Sequence, residues 1–466
     1  MAFVWATDAH AQGNIQLPNF GDASAAVISS SEEKRLGRAF LREIRASADV
    51  LDDPEIDAYI RALGYRLATA SNSPSQDFTF ITVFDTAINA FAGPGGVIGI
   101  NTGLILAVES ESELAAVVAH EIAHVTQKHI ARAFEFSDRY SVSTIAGLVA
   151  AIVLGTQNPQ AGSAAAAAVL GGQVQSQLNF IRANEHEADR VGIDTLARAG
   201  YNPHAMATFF ERLQESARYY NLPPEFLSTH PVSSRRIADS RARAERTPYR
   251  QYRDAPAFHR VRAKLRVLVD GPKKSIPVFT QRINDLSGSA PEASRYGRAL
   301  AYIALRQYDQ ALQDLRVLTK KFPDILPYQD AMARAERGRG NGERAVAIYK
   351  EALNVYLYER QMTVGLAETW IAANAPTRAA ALLTDYLKNQ PPDAATYRLL
   401  ALANERAGKL TASRAALAEH HCLNGRLAQA IYQLEQAQRR GTDDDFLSAQ
   451  IAARLKQLKR ESADRK

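Results

Sequence analysis

Residues 119–130 read AHEIAHVTQKHI, three histidines and one glutamate in twelve positions. On an α-helix each residue advances about 100°, so His120 and His124 differ by about 40° and share a face. Imidazoles so placed can reach one ion at about 2.0–2.1 Å. Glu121 stands beside them, positioned to receive a proton from a zinc-bound water rather than to ligate, which is the logic of the His-Glu-x-x-His helix. A catalytic zinc usually takes three protein ligands, so one is missing from this stretch. His129 fails the test. Nine residues after His120, it lies about 180° around the helix from it and about 140° from His124. It is excluded from that ion unless the helix ends first, and a capping or packing role is expected.

The third ligand is sought in RANEHEADRVG, residues 182–192. Glu185, His186, Glu187 and Asp189 all carry metal-binding groups, and helical geometry chooses among them. Glu185 and Asp189 are four apart and face one way, whereas His186 points about 100° and Glu187 about 200° from Glu185. The same-face pair supplies a ligand, Glu185, and an acceptor, Asp189, that can fix the tautomer of a metal-bound histidine.

Around these motifs the texture alternates. LGRAFLREI and IDAYIRALGYRLATA, within residues 30–70, have helical periodicity. FTFITVFDTAINAFAGPGGVIGINTGLI, residues 78–105, reads as strands about a Gly93-Pro94-Gly95-Gly96 turn. Asn89, Ala90 and Phe91 fall on an expected edge strand beside the cleft, where an extended polypeptide can add a strand through main-chain hydrogen bonds; a plain hairpin is the simpler reading. A helix resumes at Glu111, with Ser112 and Glu113 as its expected start signal. Small apolar residues over 140–175 predict a helical hairpin over the site, with a mobile lid as the alternative, and a second motif-bearing helix is expected over about 176–198.

The C-terminal half repeats. Ala311, Ala345 and Ala379 recur every 34 residues, each followed four later by Leu315, Tyr349 or Leu383, and Pro323 and Pro391 are two periods apart. A 34-residue helix–turn–helix period with small residues at the crossings is the tetratricopeptide signature. Residues 255–290 are expected to hold a degenerate first repeat, and the helices after 410 to be irregular in length.

At 466 residues the chain suits two or three domains. The expected partition is 13–250 and 251–466, preceded by residues 1–12 as the tail of a truncated export signal. Ala9-His10-Ala11 resembles a cleavage site, although the apolar run Ala2–Ala6 is shorter than the roughly 7–15 residues of a signal core. The net charge of +6 is divided: residues 1–250 carry 21 Lys and Arg against 27 Asp and Glu, residues 251–466 carry 35 against 23. The basic half therefore suits an acidic protein or an anionic membrane surface, and no recognition motif accompanies the charge to suggest nucleic acid. A single cysteine, Cys422, excludes a disulfide framework and is expected as a buried structural thiol.

HEIAH followed about sixty residues later by Glu-x-x-x-Asp resembles the zinc metallopeptidases that include the CAAX prenyl endopeptidases and HtpX. INAFAGPGG (88–96), STHPVSSRRI (228–237) and the repeats extend the resemblance over essentially the whole chain, to the BepA-type periplasmic protease–chaperones of Gram-negative bacteria. The resemblance implies a gluzincin-type α+β peptidase domain with a small sheet, followed by an α-solenoid, mainly α overall. It implies one zinc on His120, His124 and Glu185, with Glu121 as the catalytic base. The family's Thr-His-Pro histidine and the arginine after it fall on His230 and Arg236. His230 is then an oxyanion donor or a fourth ligand that keeps the enzyme latent, or merely packs beside Pro231. Arg236 braces His230 or the ligand carboxylates, or is exposed. The implied setting is the periplasm, acting on unfolded or misassembled polypeptides, with the basic repeats docking the outer-membrane β-barrel assembly machinery. The rival expectation is a repeat-based chaperone or scaffold with a latent or structural zinc site.

Overall fold

The computed structural model describes residues 30–134, 174–219, 224–248, 250–285 and 290–463. The expected export signal lies outside them, as does the expected hairpin over 140–175 except its last two residues. The helical stretch within 30–70 forms two helices, α1 (Ser30–Ser47) and α2 (Pro54–Thr69), with the short strand β1 (Val50–Leu51) between. Asp53 caps α2, its carboxylate accepting from the amides of Glu55 and Ile56 at 3.1 and 3.2 Å, and Pro54 follows at the first helical position.

Strands β2 (Thr79–Val83), β3 (Ala90–Gly93) and β4 (Val97–Asn101) complete a sheet of order β1-β2-β4-β3, in which β2 and β4 are parallel and β3 and β4 antiparallel. The expected turn is present as Pro94–Gly96, with Gly95 at φ +66°. A Cβ on Gly37 would lie 2.8 Å from the Gly95 Cα, so α1 can close on this turn only through glycines. β3 is an edge: within the sheet only β4 pairs with it.

After α3 (Thr102–Ala107) comes α4 (Glu111–Thr126), which carries HEIAH and is buried almost all round. Such a helix is a central strut rather than a surface layer. It starts at Glu111 as expected, but its start signal differs. Ser110 is the cap, accepting from the Glu113 amide at 3.3 Å, and the Glu113 carboxylate reaches back to the Glu109 amide at 2.7 Å. Ser112 lies inside the first turn, where its hydroxyl accepts from the Asn202 amide. Helix α5 (His129–Phe134) follows a turn in which Lys128 takes φ +53°. Helix α6 (Val174–Arg198) packs along α4, close enough that a Cβ on Gly192 would lie 3.2 Å from the His120 nitrogen. Helices α7 (Ala205–Tyr219), α8 (Glu225–Thr229) and α9 (Ser234–Ala244) close the site.

From Pro256 onward the chain is a succession of helices. Ala311, Ala345 and Ala379 are fully buried, as are Leu315, Tyr349 and Leu383. A second set of small residues on the same period, Gly297, Ala331 and Gly365, was not recognised in the sequence. Gly297 lies under the Phe279 ring and Gly365 under Tyr349. After 410 only the last helix, Asp445–Ala463, is longer than its neighbours. Cys422 is half-buried rather than buried, with Arg454 3.4 Å from its sulfur.

The helix Pro256–Asp270 joins both halves: Phe258, Val261 and Leu265 belong to the core around α4, and Ala263 and Val267 to the next core. Charges reinforce the junction. Lys264 reaches Asp53 at 2.8 Å and Glu55 at 3.3 Å, the Tyr296 hydroxyl donates to Glu55 at 2.7 Å, and Arg45 of α1 donates to the Leu423 carbonyl at 3.0 Å. Arg360 gathers Asp57 at 3.2 Å, Asp393 at 2.8 Å, and Asp52. Three carboxylates on one guanidinium leave a deficit. Burial and the Asp52 charge outweigh Arg360 and raise the Asp57 carboxyl to about 7.

Two expectations follow. Gly365→Ala would ordinarily stabilise a helix by about 1 kcal/mol, but the new Cβ would sit 2.4 Å from the buried Tyr349 ring. The variant should instead melt below wild type by an amount equivalent to about 1–3 kcal/mol. An unchanged or higher melting temperature would contradict the packing. For Asp57 the unfolded chain ionises near pH ~4 while the folded chain keeps the proton to about 7. Stability is therefore lost progressively as pH rises between those values. Asp57→Asn removes that loss, so its melting-temperature advantage over wild type should grow from pH 4 to 7 and level off above. A pH-independent difference would refute the assignment.

Candidate metal centre

Helices α4 and α6 and the residue after α8 bring four side chains to one point. His120, His124, Glu185 and His230 each offer a ligand atom, all within 4.8 Å of one another. His120 Nε2 is 3.0 Å from His124 Nε2 and 3.3 Å from His230 Nδ1. Glu185 Oε1 is 3.0 Å from His230 Nδ1 and 3.3 Å from His124 Nε2, and Glu185 Oε2 is 3.4 Å from His120 Nε2. A tetrahedron with arms of about 2.0–2.1 Å has edges of about 3.3 Å, so the spacing fits one small divalent cation. The mixed nitrogen and oxygen donors fit it as well.

The charges fit too. Burial opposes ionisation of Glu185, but His230, His120 and His124 outweigh it and hold the carboxyl well below its ordinary value. Burial also opposes charge on His120, yet hydrogen bonding to the Asp189 and Glu185 carboxylates prevails and raises it to about 10. His124 moves down, burial being the larger influence. The point where the rings meet is one that attracts positive charge.

Asp189 lies where the angular reading of α6 put it. Its Oδ1 is 3.0 Å from His120 Nδ1, which leaves His120 Nε2 facing the ligand group. Arg236 of α9 is buried, not exposed. Its guanidinium grips Asp189 through Nε and Nη2 at 2.7 and 2.8 Å, meets Glu185 at 2.9 Å, donates to the Pro231 carbonyl at 2.7 Å and lies 5.0 Å over the Phe210 ring. It thus braces the carboxylates and the His230–Pro231 turn together. Ser233 caps α9, fixing where Arg236 emerges.

Glu121 is fully buried, and among the described residues neither carboxylate oxygen has a hydrogen-bond partner. Leaving such a group unsatisfied costs about 1–3 kcal/mol, so it is built for something that arrives. His230 Nε2 stands 3.5 Å from Glu121 Oε1. His230 is also tied to the edge strand. The Phe226 amide donates to the Ile88 carbonyl at 3.1 Å, the Asn89 side-chain amide donates to Glu225 at 3.0 Å, and the Phe226 ring is 4.7 Å from that of His230. Asn89, expected on the strand, precedes it and is buried; Ala90 and Phe91 lie on β3 and are buried as well.

Two residues set aside by the angular argument form a contact it did not foresee. Helix α4 ends at Thr126, and the Lys128 turn swings His129 back until its Nδ1 is 2.9 Å from His124 Nδ1. Glu187, on the far side of α6 from Glu185, meets His129 Nε2 at 3.2 Å and Arg132 at 3.0 Å. The shared rejection of His129 and Glu187 from the ion was the available signal. His186 points outward, 3.7 Å from the exposed Asp239.

Residues 54–244 match the family described as Peptidase family M48. Over 447 residues the chain is 35% identical to the beta-barrel assembly-enhancing protease of Yersinia pestis, covering 95% of this chain and 92% of that protein. The same-named protein of Escherichia coli (strain K12) is 34% identical over 447 residues, 95% of this chain and 91% of that protein. The chain belongs to peptidase family M48. The Schizosaccharomyces pombe mitochondrial metalloendopeptidase OMA1 is 30% identical over 220 residues, 45% of this chain and 60% of that protein. As an M48 peptidase the chain is a metalloendopeptidase, and the family implies a divalent metal.

Arg236→Gln should strip two buried carboxylates of their cation. Breaking a buried pair this way costs about 3–5 kcal/mol, and a bound metal supplies part of the missing charge. The fall in melting temperature should therefore be larger for metal-free than for metal-loaded protein. Equal falls would mean that Arg236 and the metal do not share the carboxylates.

Proposed function

We propose that this M48 peptidase is a zinc endopeptidase of the periplasm, in which residues 13–250 cleave unfolded or misassembled polypeptides and the repeats of 251–466 hold clients or an assembly partner. The names of the relatives, beta-barrel assembly-enhancing proteases, supply the setting. Among the described residues no helix is long and apolar enough to cross a membrane, which suits an exported enzyme of this kind. The observation that carries the chemistry is the ligand tetrahedron beside the buried, unpartnered Glu121.

In this reading His120, His124 and Glu185 hold the zinc, while Asp189 and Arg236 fix the tautomer of His120 and the position of Glu185. When bound, the metal polarises a water and the peptide carbonyl. Glu121 takes the proton from the attacking water and delivers it to the leaving amine. The outward main-chain groups of β3 receive the substrate as an added strand.

His230 brings Nδ1 to the ligand group and turns Nε2 to Glu121, the place that the attacking water would take. This conformation is latent. Because β3 and His230 are joined through Ile88, Asn89, Glu225 and Phe226, a strand added at β3 bears on the segment that holds His230. The second reading, a scaffold with a closed structural site, is favoured by the same four-sided enclosure. It gives no use for Glu121.

Elemental mass spectrometry should find about one zinc per wild-type chain and a loss of it in Glu185→Ala. Glu121→Gln should keep the metal and lose cleavage of an unfolded protein such as casein by at least about a hundredfold, while His230→Ala should cleave faster than wild type. A metal-replete, folded wild type without zinc would sink the enzyme reading. Retained cleavage in Glu121→Gln would remove Glu121 as the base.

A further inference from the structure

Each histidine of the ligand tetrahedron needs a partner on its other ring nitrogen. His120 has Asp189. Among the described residues His124 Nδ1 has no carboxylate; it has His129 Nδ1 at 2.9 Å. The rings meet nearly edge to face, with an interplanar angle of 79°. Beyond them His129 Nε2 is 3.2 Å from Glu187 Oε2, which Arg132 approaches at 3.0 Å while its other amino group donates to Asn184 Oδ1 at 2.8 Å. His129 is buried, with a side chain 4% exposed, and Glu187 is more open at 28%.

The order of protons along this chain is forced from its far end. An ionised carboxylate only accepts, so the proton between Glu187 and His129 sits on His129 Nε2. A neutral His129 then presents a bare lone pair at Nδ1. His124 must supply the proton for the 2.9 Å contact from its own Nδ1, which leaves His124 Nε2 as a lone pair facing Glu185 and His120. Reversing any one proton would close Nε2 to a metal. The Lys128 backbone, held at φ +53°, is the local strain that brings His129 into this position.

We propose that His129 is a positioning residue for the metal, with Glu187 and Arg132 behind it. This relay fixes the tautomer and ring orientation of His124 as Asp189 fixes those of His120. The inference rests on the reading of His124 as a metal ligand. It also changes what His129 means in the sequence, because a histidine excluded from the ion by helix geometry serves it at one remove. Outer partners of ligand histidines are worth about 10–100-fold in metal affinity.

The test is zinc affinity of the full chain by competition with a chromophoric chelator, with the melting temperature of the metal-free protein as a check on folding. His129→Leu fills the space without an acceptor and should weaken zinc about 10–100-fold. His129→Asn places an oxygen where Nδ1 was and should recover affinity to within about threefold of wild type. Cobalt(II) loaded instead of zinc should show shifted visible bands in His129→Leu and near-native bands in His129→Asn. Glu187→Ala, at a more open position, should weaken zinc several-fold with little change in metal-free melting, and carries the test if His129→Leu does not fold. Affinities and cobalt spectra equal to wild type in His129→Leu and Glu187→Ala overturn the relay while leaving the ligand reading intact. Wild type that binds no zinc, or binding indifferent to His124→Ala, overturns both.

Discussion

Three imidazoles and a carboxylate drawn to within 4.8 Å of one another, three of the four side chains buried, form an arrangement that the surrounding fold must sustain. Left to themselves the lone pairs repel, and burial raises the cost of each charge. The remedy runs outward in layers. Asp189 and His129 take the far nitrogens of the two helix histidines, Arg236 holds Glu185 and Asp189, and the aromatic rings of Phe210 and Phe226 close over Arg236 and His230. The scaffold serves the same end. α4 is buried nearly all round because the site lies on its inward face, and Gly192 exists at the one place where α6 must approach the backbone of His120.

The sequence made the parts of this arrangement that obey helix periodicity legible. Same-face spacing on α4 and α6 is a property of the helix alone, so His120, His124, Glu185 and Asp189 are brought together as their positions predict. The 34-residue period is similarly local, and its alanines are all buried. What escaped depended on breaks in periodicity. The position of His129 is decided by a two-residue turn with one left-handed residue, which no moment or spacing announces, and the same turn gives Glu187 its partner. The real helix cap, Ser110, escaped for a related reason, since Ser112 offered an equally good hydroxyl two residues on. Gly297 and Gly365 were hidden because a glycine inside a helix reads as a defect until the ring above it is seen.

The charge asymmetry has a different meaning in the folded chain. Read from composition, the basic second half calls for an acidic partner elsewhere. In the structure some of that charge is already answered at home, where Lys264, Arg260 and Arg360 meet Asp52, Asp53, Glu55 and Asp57 in the short acidic stretch around the start of α2. Desolvated pairs of this kind contribute register more than stability, and the apolar seam of Phe258, Val261 and Leu265 supplies the adhesion.

That division of labour bears on how clients would reach the site. The helices from Pro256 onward are joined to α1 and α2 through Arg45, Lys264 and Arg360, so on the proposed reading capture and cleavage would take place with the two halves in contact. The moving part can then be small. Helix α8 is five residues long, is joined to Ile88 and Asn89 just before the edge strand by a main-chain and a side-chain hydrogen bond, and is followed directly by His230. On the proposed reading, a strand added along β3 lies next to Ile88 and Asn89, which hold that helix. On that reading, opening would be selected by an extended backbone added along the edge, and a folded protein, whose strands are already paired, would leave His230 in place.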